Sequence, residues 1–171
     1  YRPAPGQFVN VLPQIDADDN ADSAAAKCTR AIAGSMNGLI TLGAYGGYVT
    51  FHFDHRVRNL EGNDLIIKGN AFNGNSEPGI VMVSVDANHN GKPDDEWYEL
   101  RGSADADSVG KVVYGYSITY EPSPMADIPW TDNRGSSGFV YRNSSHQQEY
   151  FPLWVHGPMT FTGTLLPRNG H

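Results

Sequence analysis

Cysteines, basic clusters and long apolar runs are all scarce in this sequence. A single cysteine, Cys28, excludes an internal disulfide, and its alanine-rich surroundings predict a small buried apolar residue rather than a nucleophile. The 12 Lys and Arg residues are scattered singly against 19 Asp and Glu, for a net charge of -7, so the basic surface that a nucleic acid requires is missing. No apolar run approaches the length that crosses a bilayer.

Familiar catalytic motifs are also missing. No Gly-x-Ser-x-Gly nucleophile elbow occurs, no phosphate-binding loop is present, and the histidines show no compact metal-ligand spacing. A glycoside hydrolase stays an alternative because a pair of carboxylates can supply its acid and base. The candidates for that pair are Glu61, Glu77, Glu99, Glu121 and Glu149, and the sequence brings no two of them together. We therefore expect a protein that is not an enzyme.

The chain does contain many short β-branched and aromatic runs, punctuated by 19 glycines and 11 prolines. This pattern is typical of an all-β fold, and we predict a jelly-roll-like antiparallel β-sandwich, as one domain over residues 1–171. The predicted strands cover residues 39–42, 48–53, 64–68, 80–86, 96–100, 112–120, 138–141 and 160–166. Residues 121–138, with three prolines and Trp130, are predicted to form a long ordered loop.

One short helix is predicted over residues 22–33. Its alanines favour helix formation, Asp22 or Asn20 can cap its first turn, and Gly34 can end it. Its apolar side chains are small, so we expect it to cover part of a sheet rather than to build a core.

An oxygen-rich loop at residues 86–96 predicts a Ca2+ site. Its donors stand at alternate positions, followed by a glycine that permits a tight turn and by a run of carboxylates. The predicted metal site comprises Asp86, Asn88, Asn90, Lys92, Asp94, Asp95 and Glu96. Trp97 stands where an EF-hand has its bidentate Glu, so we expect a loop between two strands with a structural ion. An Asx-rich turn without a metal is the alternative.

Aromatic residues in turn-rich contexts are the candidates for ligand binding. Rings on loops offer flat apolar area with a polar edge, which suits sugar rings or a planar macrocycle, although such rings can equally fill a core. The predicted ligand-binding set is Tyr45, Tyr48, Trp130, Asp132, Asn133, Tyr141, His146, Tyr150, Phe151 and Trp154.

Several strings of the sequence resemble a known family. They include Glu-Pro-Gly-Ile-Val-Met-Val-Ser at residues 77–84, Asp-Asp-Glu-Trp-Tyr-Glu-Leu at residues 94–100 and Ile-Pro-Trp-Thr-Asp-Asn at residues 128–133. These strings are similar to those of Bacteroidetes outer-membrane surface lipoproteins, usually called only "cell surface protein", and the similarity extends over nearly the whole chain.

The resemblance implies an outward-facing location on the bacterial outer membrane, with a lipid anchor outside this chain and Ig- or PKD-like modules often alongside. Some such lipoproteins accompany TonB-dependent transporters, including cobamide-uptake systems. We therefore expect a domain excised or truncated from a longer surface lipoprotein, which captures a small nutrient for such a transporter. A cobamide, a vitamin B12-type corrinoid, is the first candidate ligand. A calcium-stabilised carbohydrate-binding module and a structural adhesin or spacer domain are the alternatives.

Overall fold

The described part of the protein is mostly β-structure, with two antiparallel sheets and two short helices. A computed structural model describes residues 1–69, 73, 77–106 and 111–167. The elements in chain order are α1 (Ala21–Ile32), β1 (Met82–Ser84), β2 (Trp97–Glu99), α2 (Ser103–Ala106), β3 (Val113–Tyr120), β4 (Ile128–Asp132), β5 (Ser137–Val140) and β6 (Met159–Leu165). The all-β class predicted from the sequence is therefore confirmed.

Two compact units make up the chain. The first comprises Tyr1–Val49 and Gly115–Gly163, and the second Thr50–Tyr114 and Thr164–His171. The strands β1 and β2 form a two-stranded sheet, while a larger sheet has the order β5-β4-β3-β6. The prediction of one sandwich domain over the whole chain stays a prediction.

The hydrophobic core belongs to the first unit. The inner face of the four-stranded sheet contributes alternate residues from each strand, as the two-residue period of a strand requires. Among the described residues, every buried apolar side chain lies in this unit, and the largest include Tyr120, Ile128, Tyr150, Met159 and Val9. In the second unit, by contrast, large side chains such as Phe51, Leu60 and Ile66 are exposed.

The helix α1 forms as its sequence predicts. The side chain of Asn20 accepts hydrogen bonds from the backbone of Asp22 and Ser23, and the Ser23 hydroxyl oxygen accepts one from the Asn20 backbone N–H, which completes a capping box. Asn20 is therefore the cap rather than Asp22. Ala24 and Cys28, four residues apart on one face, are the buried side chains of this helix.

The predicted strands are confirmed in five places, and three predictions are wrong. Residues 39–42, 48–53 and 64–68 form no strand; of these, only Tyr48 makes an isolated bridge, to Arg2. Alternation of side chains alone cannot supply the paired neighbour that a strand requires.

The predicted loop at residues 121–138 is wrong because β4 lies within it. Proline usually argues against an inner strand, since it has no N–H to donate. Pro129 lies one residue beyond the last register pair between β3 and β4, Tyr120 with Trp130, and its carbonyl accepts from Glu121. The missing N–H therefore falls where the ladder ends.

Gly43 offers a test of close backbone packing. Gly43 and Gly34 both have positive φ, +76° and +69°, but a Cβ on Gly43 would lie 1.8 Å from the Ala4 carbonyl oxygen, whereas one on Gly34 meets no atom within 4 Å. We expect Gly34→Ala to lower the free energy of unfolding by about 1 kcal/mol and Gly43→Ala by at least about 3 kcal/mol. Urea unfolding measures both, and equal losses would contradict the packing described.

A group of charges before and on α1 predicts a pH dependence. Asp19 accepts hydrogen bonds from the Asp16 backbone, from Lys27 and from Ser23, which together lower its pKa to about 2. A folded-state pKa below the unfolded value of about 3.9 stabilises the protein above that value, and the stabilisation is lost as the pH falls from about 4 to about 2.

We therefore expect Asp19→Asn to flatten the fall in stability between pH 4 and pH 2, as measured by urea unfolding at each pH. Asp18→Asn, at an exposed neighbouring carboxylate, is the control and keeps the slope of the parent protein. Identical slopes for Asp19→Asn and the parent would refute the assignment.

Candidate functional site

The predicted metal-binding loop is held by its own hydrogen bonds. The two carboxylate oxygens of Asp86 accept from the backbone N–H groups of Asn90 and Gly91, each at 3.0 Å. The Oδ1 atoms of Asn88 and Asn90 accept from backbone groups two residues further on, at Asn90 and Lys92. His89 and Gly91 have φ values of 58° and 69°, which turn the chain back on itself.

The amide groups of this loop point at a carboxylate. The Nδ2 atoms of Asn88 and Asn90 donate to Asp94, at 3.2 and 3.0 Å, and these bonds lower the pKa of Asp94. Asp95 accepts from the Ala87 backbone at 3.3 Å. Glu96 lies apart from this network and accepts from the Tyr98 hydroxyl at 2.6 Å. The structure thus links four of the predicted metal ligands, Asp86, Asn88, Asn90 and Asp94, through side-chain oxygens or amides, and Lys92 through its backbone, while Asp95 is bonded to the Ala87 backbone.

The donor set fits a hard cation in part. The side-chain oxygens of Asp86, Asn88 and Asn90 keep a second lone pair each, and carboxylate and amide oxygens are the ligands that Ca2+ prefers. In the described part of the chain, however, no three His, Cys, Asp or Glu residues are grouped closely enough to hold a metal. A cation would therefore use amide oxygens from residues whose amide nitrogens now face Asp94.

Three of the predicted ligand-binding residues are packing residues of the first unit. Tyr150 and Phe151 are only 1% and 4% exposed, so neither offers a ring face to a ligand. The Tyr150 hydroxyl accepts from the Asn143 backbone and lies 3.2 Å from the His146 carbonyl. Tyr45 packs edge-on against Tyr116 with 4.9 Å between ring centroids. Sequence context could not separate these rings from exposed ones.

Asp132 and Asn133 organise the turn between β4 and β5. Asp132 accepts from the backbone of Arg134 and Ser136 and from the Tyr116 hydroxyl. Burial opposes ionisation of Asp132, but these hydrogen bonds outweigh it, so its pKa is lowered. Asn133 binds backbone groups of Ser117 and Gly115. Their contacts are those of turn residues.

Three more of the predicted ligand-binding residues, Trp130, His146 and Trp154, are half-buried. Trp130 lies under Gly138, where a Cβ would come within 2.6 Å of the indole ring. His146 packs edge-on against Phe8, and Trp154 lies near Tyr1 with 6.2 Å between ring centroids. Tyr48 is 47% exposed and pairs through its backbone with Arg2.

Tyr141 is the most exposed of the predicted aromatic residues, and it has an aromatic partner. It is 72% exposed, and its ring centroid lies 5.9 Å from that of Phe139, which is 50% exposed. Phe139 is on the edge strand β5, opposite Pro129 of β4. Phe139 is not among the residues predicted from the sequence; the signal for it was its place two residues before Tyr141, on the same side of an extended segment.

Hydroxyl groups cover the rest of the same sheet surface, which we call the outer sheet face. It is formed by side chains that alternate with the buried ones. Its members are Ser117 and Thr119 of β3, Thr131 of β4, Ser137 and Phe139 of β5 with Tyr141 just beyond, and Thr160 and Thr162 of β6.

The hydroxyls of the outer sheet face form rows across the strands. Thr131 is in register with both Ser137 and Thr119, and the Thr119 and Thr160 hydroxyl oxygens are 2.8 Å apart. In a second row, Thr162 donates to Ser117 at 3.0 Å. This surface was not predicted from the sequence, although the alternation Thr160-Phe161-Thr162 was a signal for it.

Comparison with known proteins gives no assignment: no protein-family model matches the chain, and no curated protein sequence is significantly similar to it. None of the helices in the described residues has both the length and the apolar character needed to span a membrane.

Proposed function

We propose that the protein is a non-catalytic, cell-surface ligand-binding module whose ligand is a carbohydrate. The observation that supports this most directly is the exposed pair Phe139 and Tyr141 beside the hydroxyls of the outer sheet face. Sugar rings are bound by stacking of their C–H faces on aromatic rings and by hydrogen bonds to their hydroxyls, and this surface supplies both kinds of contact.

The aromatic pair stands on a strand that the core supports. Strand β5 pairs with β4 over four residues, from Ile128 with Val140 to Thr131 with Ser137. On the inner side, Trp130 fills the space under Gly138, the residue before Phe139. A ring carried by a supported strand needs little reorganisation when a ligand stacks on it, which favours binding.

The proposed setting is the outer face of a bacterial outer membrane, with nutrient capture for a TonB-dependent transporter as the wider role. Within the all-β class, we propose a jelly-roll-like antiparallel sandwich as the fold. The support for both is the similarity of the sequence strings at residues 77–84, 94–100 and 128–133 to surface lipoproteins. A cobamide stays the rival ligand and belongs in the same binding experiments.

We also propose that Ca2+ stabilises the loop at residues 86–96. The ordered Asx side chains around Asp86 and Asp94 support such a site, in which the amides of Asn88 and Asn90 would rotate so that their oxygens join the carboxylates. The ion has a structural role in this proposal, since the loop lies between β1 and β2 and ties the ends of these paired strands.

Binding of Ca2+ to this loop predicts a calcium-dependent melting temperature. A ligand bound only by the folded state at 100 times its Kd adds about 2.7 kcal/mol of stability. We expect the parent protein to melt higher in Ca2+ than in chelator, and Asp86→Ala to melt at the same temperature in both. Asp18→Ala, at an exposed carboxylate outside the loop, keeps the shift of the parent protein. A parent protein without a shift would remove the metal from the proposal.

Loss of the aromatic pair predicts loss of glycan binding. We expect Phe139→Ala and Tyr141→Ala each to weaken binding on a glycan array by about fivefold or more, since stacking on an exposed ring contributes about 1 kcal/mol or more. Met36→Ala truncates an exposed apolar side chain near the end of α1 and serves as the control.

The same preparations are titrated calorimetrically with cobalamin and assayed with chromogenic glycosides. Heat with cobalamin and no glycan binding would replace the carbohydrate by a corrinoid. Turnover of a glycoside would instead show an enzyme.

A further inference from the structure

The outer sheet face runs unbroken from one edge of the four-stranded sheet to the other. Ser137, Thr131, Thr119 and Thr160 form one row that crosses all four strands in the order β5-β4-β3-β6. Adjacent strands lie about 4.8 Å apart, so this row extends about 14 Å. A pyranose ring is about as wide as one strand spacing, so hydroxyls at this interval match successive sugars of a chain that lies across the strands.

The ends of this surface differ. At the β5 edge are the rings of Phe139 and Tyr141, which can hold one sugar by stacking. Towards β6 the surface is polar, with Thr160 exposed and bonded to Thr119 and with Thr162 bonded to Ser117. Each of these hydroxyls can both donate and accept, as sugar hydroxyls do, so exchange of partners with a ligand leaves no group unsatisfied.

Charge determines which glycans fit this surface. Glu121 follows β3 two residues after Thr119, and its backbone N–H donates to the Pro129 carbonyl at 2.9 Å, so the extended pairing places its exposed carboxylate on the same face. Arg2 lies at the β6 edge, where its guanidinium donates to the Thr160 carbonyl and lies over the ring of the buried Phe161. Its positive charge is therefore engaged by groups other than the hydroxyls of the outer sheet face. With a net charge of -7 as well, the protein disfavours an anionic ligand here.

We propose that the outer sheet face binds a neutral, linear glycan across the strands, with about three successive sugars between the aromatic pair at β5 and Thr160 at β6. This inference rests on the proposed carbohydrate-binding function and specifies its ligand class. An exposed carboxylate is also a good acceptor for sugar hydroxyls, so Glu121 rejects uronates while it contributes a hydrogen bond to neutral sugars.

The test is calorimetric titration of the full chain with neutral oligosaccharides of two to six sugars and with oligogalacturonates of the same lengths. The neutral set comprises gluco-, xylo- and manno-oligosaccharides. We expect affinity for one neutral series to rise up to about three sugars and then level off, and no binding of the uronates. A double variant, Thr131→Val with Thr160→Val, keeps the β-branched shape, and we expect it to weaken binding about tenfold. Thr29→Val on α1 is the matched control.

The outcomes separate this inference from the function on which it rests. Neutral binding that is weakened by the double valine variant supports the inference. Binding that is unchanged in that variant, or that is as strong for one sugar as for three, overturns the inference while the carbohydrate function stands. Uronates bound as tightly as neutral chains overturn the ligand class.

Two further results would overturn the assignment of this surface to a glycan. A parent protein that binds no glycan overturns both the proposed function and this inference. A dimer in sedimentation that the double valine variant abolishes would assign the outer sheet face to a second copy of the chain instead.

Discussion

Burial of one face of the four-stranded sheet is the constraint on which the first unit depends. Tyr120 lies near its centre, 1% exposed, with its hydroxyl bonded to the Tyr45 carbonyl and its ring against Phe161. Burial raises the pKa of this phenol, which keeps it protonated and able to donate. Trp130, in register with Tyr120, continues the same layer towards β5. Because these rings are buried on one face of the sheet, each strand must present that same set of side chains to the core.

The outer sheet face is a consequence of that orientation. Strand side chains alternate, so once Ile118 and Tyr120 point inward, Thr119 must point outward, and the same applies to Thr160 and Thr162 beside Phe161. The hydroxyls are satisfied among themselves where strands β3 and β6 meet. The proposed glycan surface therefore needs no separate scaffold, because the packing that stabilises the core also fixes the spacing of the groups on the other side.

The second unit differs in how it is stabilised. Many of its described large apolar residues, such as Phe51 and Ile66, are exposed and its two-stranded sheet is short, so hydrogen-bonded turns carry more of its local order than burial does. The loop at residues 86–96 is a densely bonded example, with Asp86 and Asp94 each accepting two or more hydrogen bonds. In a unit with little buried area, an ion bound at this loop would make a proportionally large contribution to stability.

The sequence predicted those elements that are stabilised by hydrogen bonds between residues close together in the chain. Asn20 caps α1 through atoms two and three residues away, and the Asx side chains of residues 86–95 close their loop over similarly short separations, so both were predictable. Strands with strong side-chain alternation were predicted too, and they formed wherever a partner strand existed. Residues 48–53 alternate as regularly as any, yet only Tyr48 is paired.

The exposure of each aromatic ring was decided by tertiary structure alone. Tyr150 and Tyr141 are nine residues apart in similar turn-rich contexts, but one is buried and the other is mostly exposed. Tyr150 is covered because segments distant in sequence pack around it, as the bond from Gly6 to its carbonyl illustrates, whereas Tyr141 follows an edge strand. The sequence by itself thus determined the helix cap, the Asx loop and the alternation within strands. Contacts between distant segments decided which face of the sheet is exposed and which aromatic rings are exposed with it.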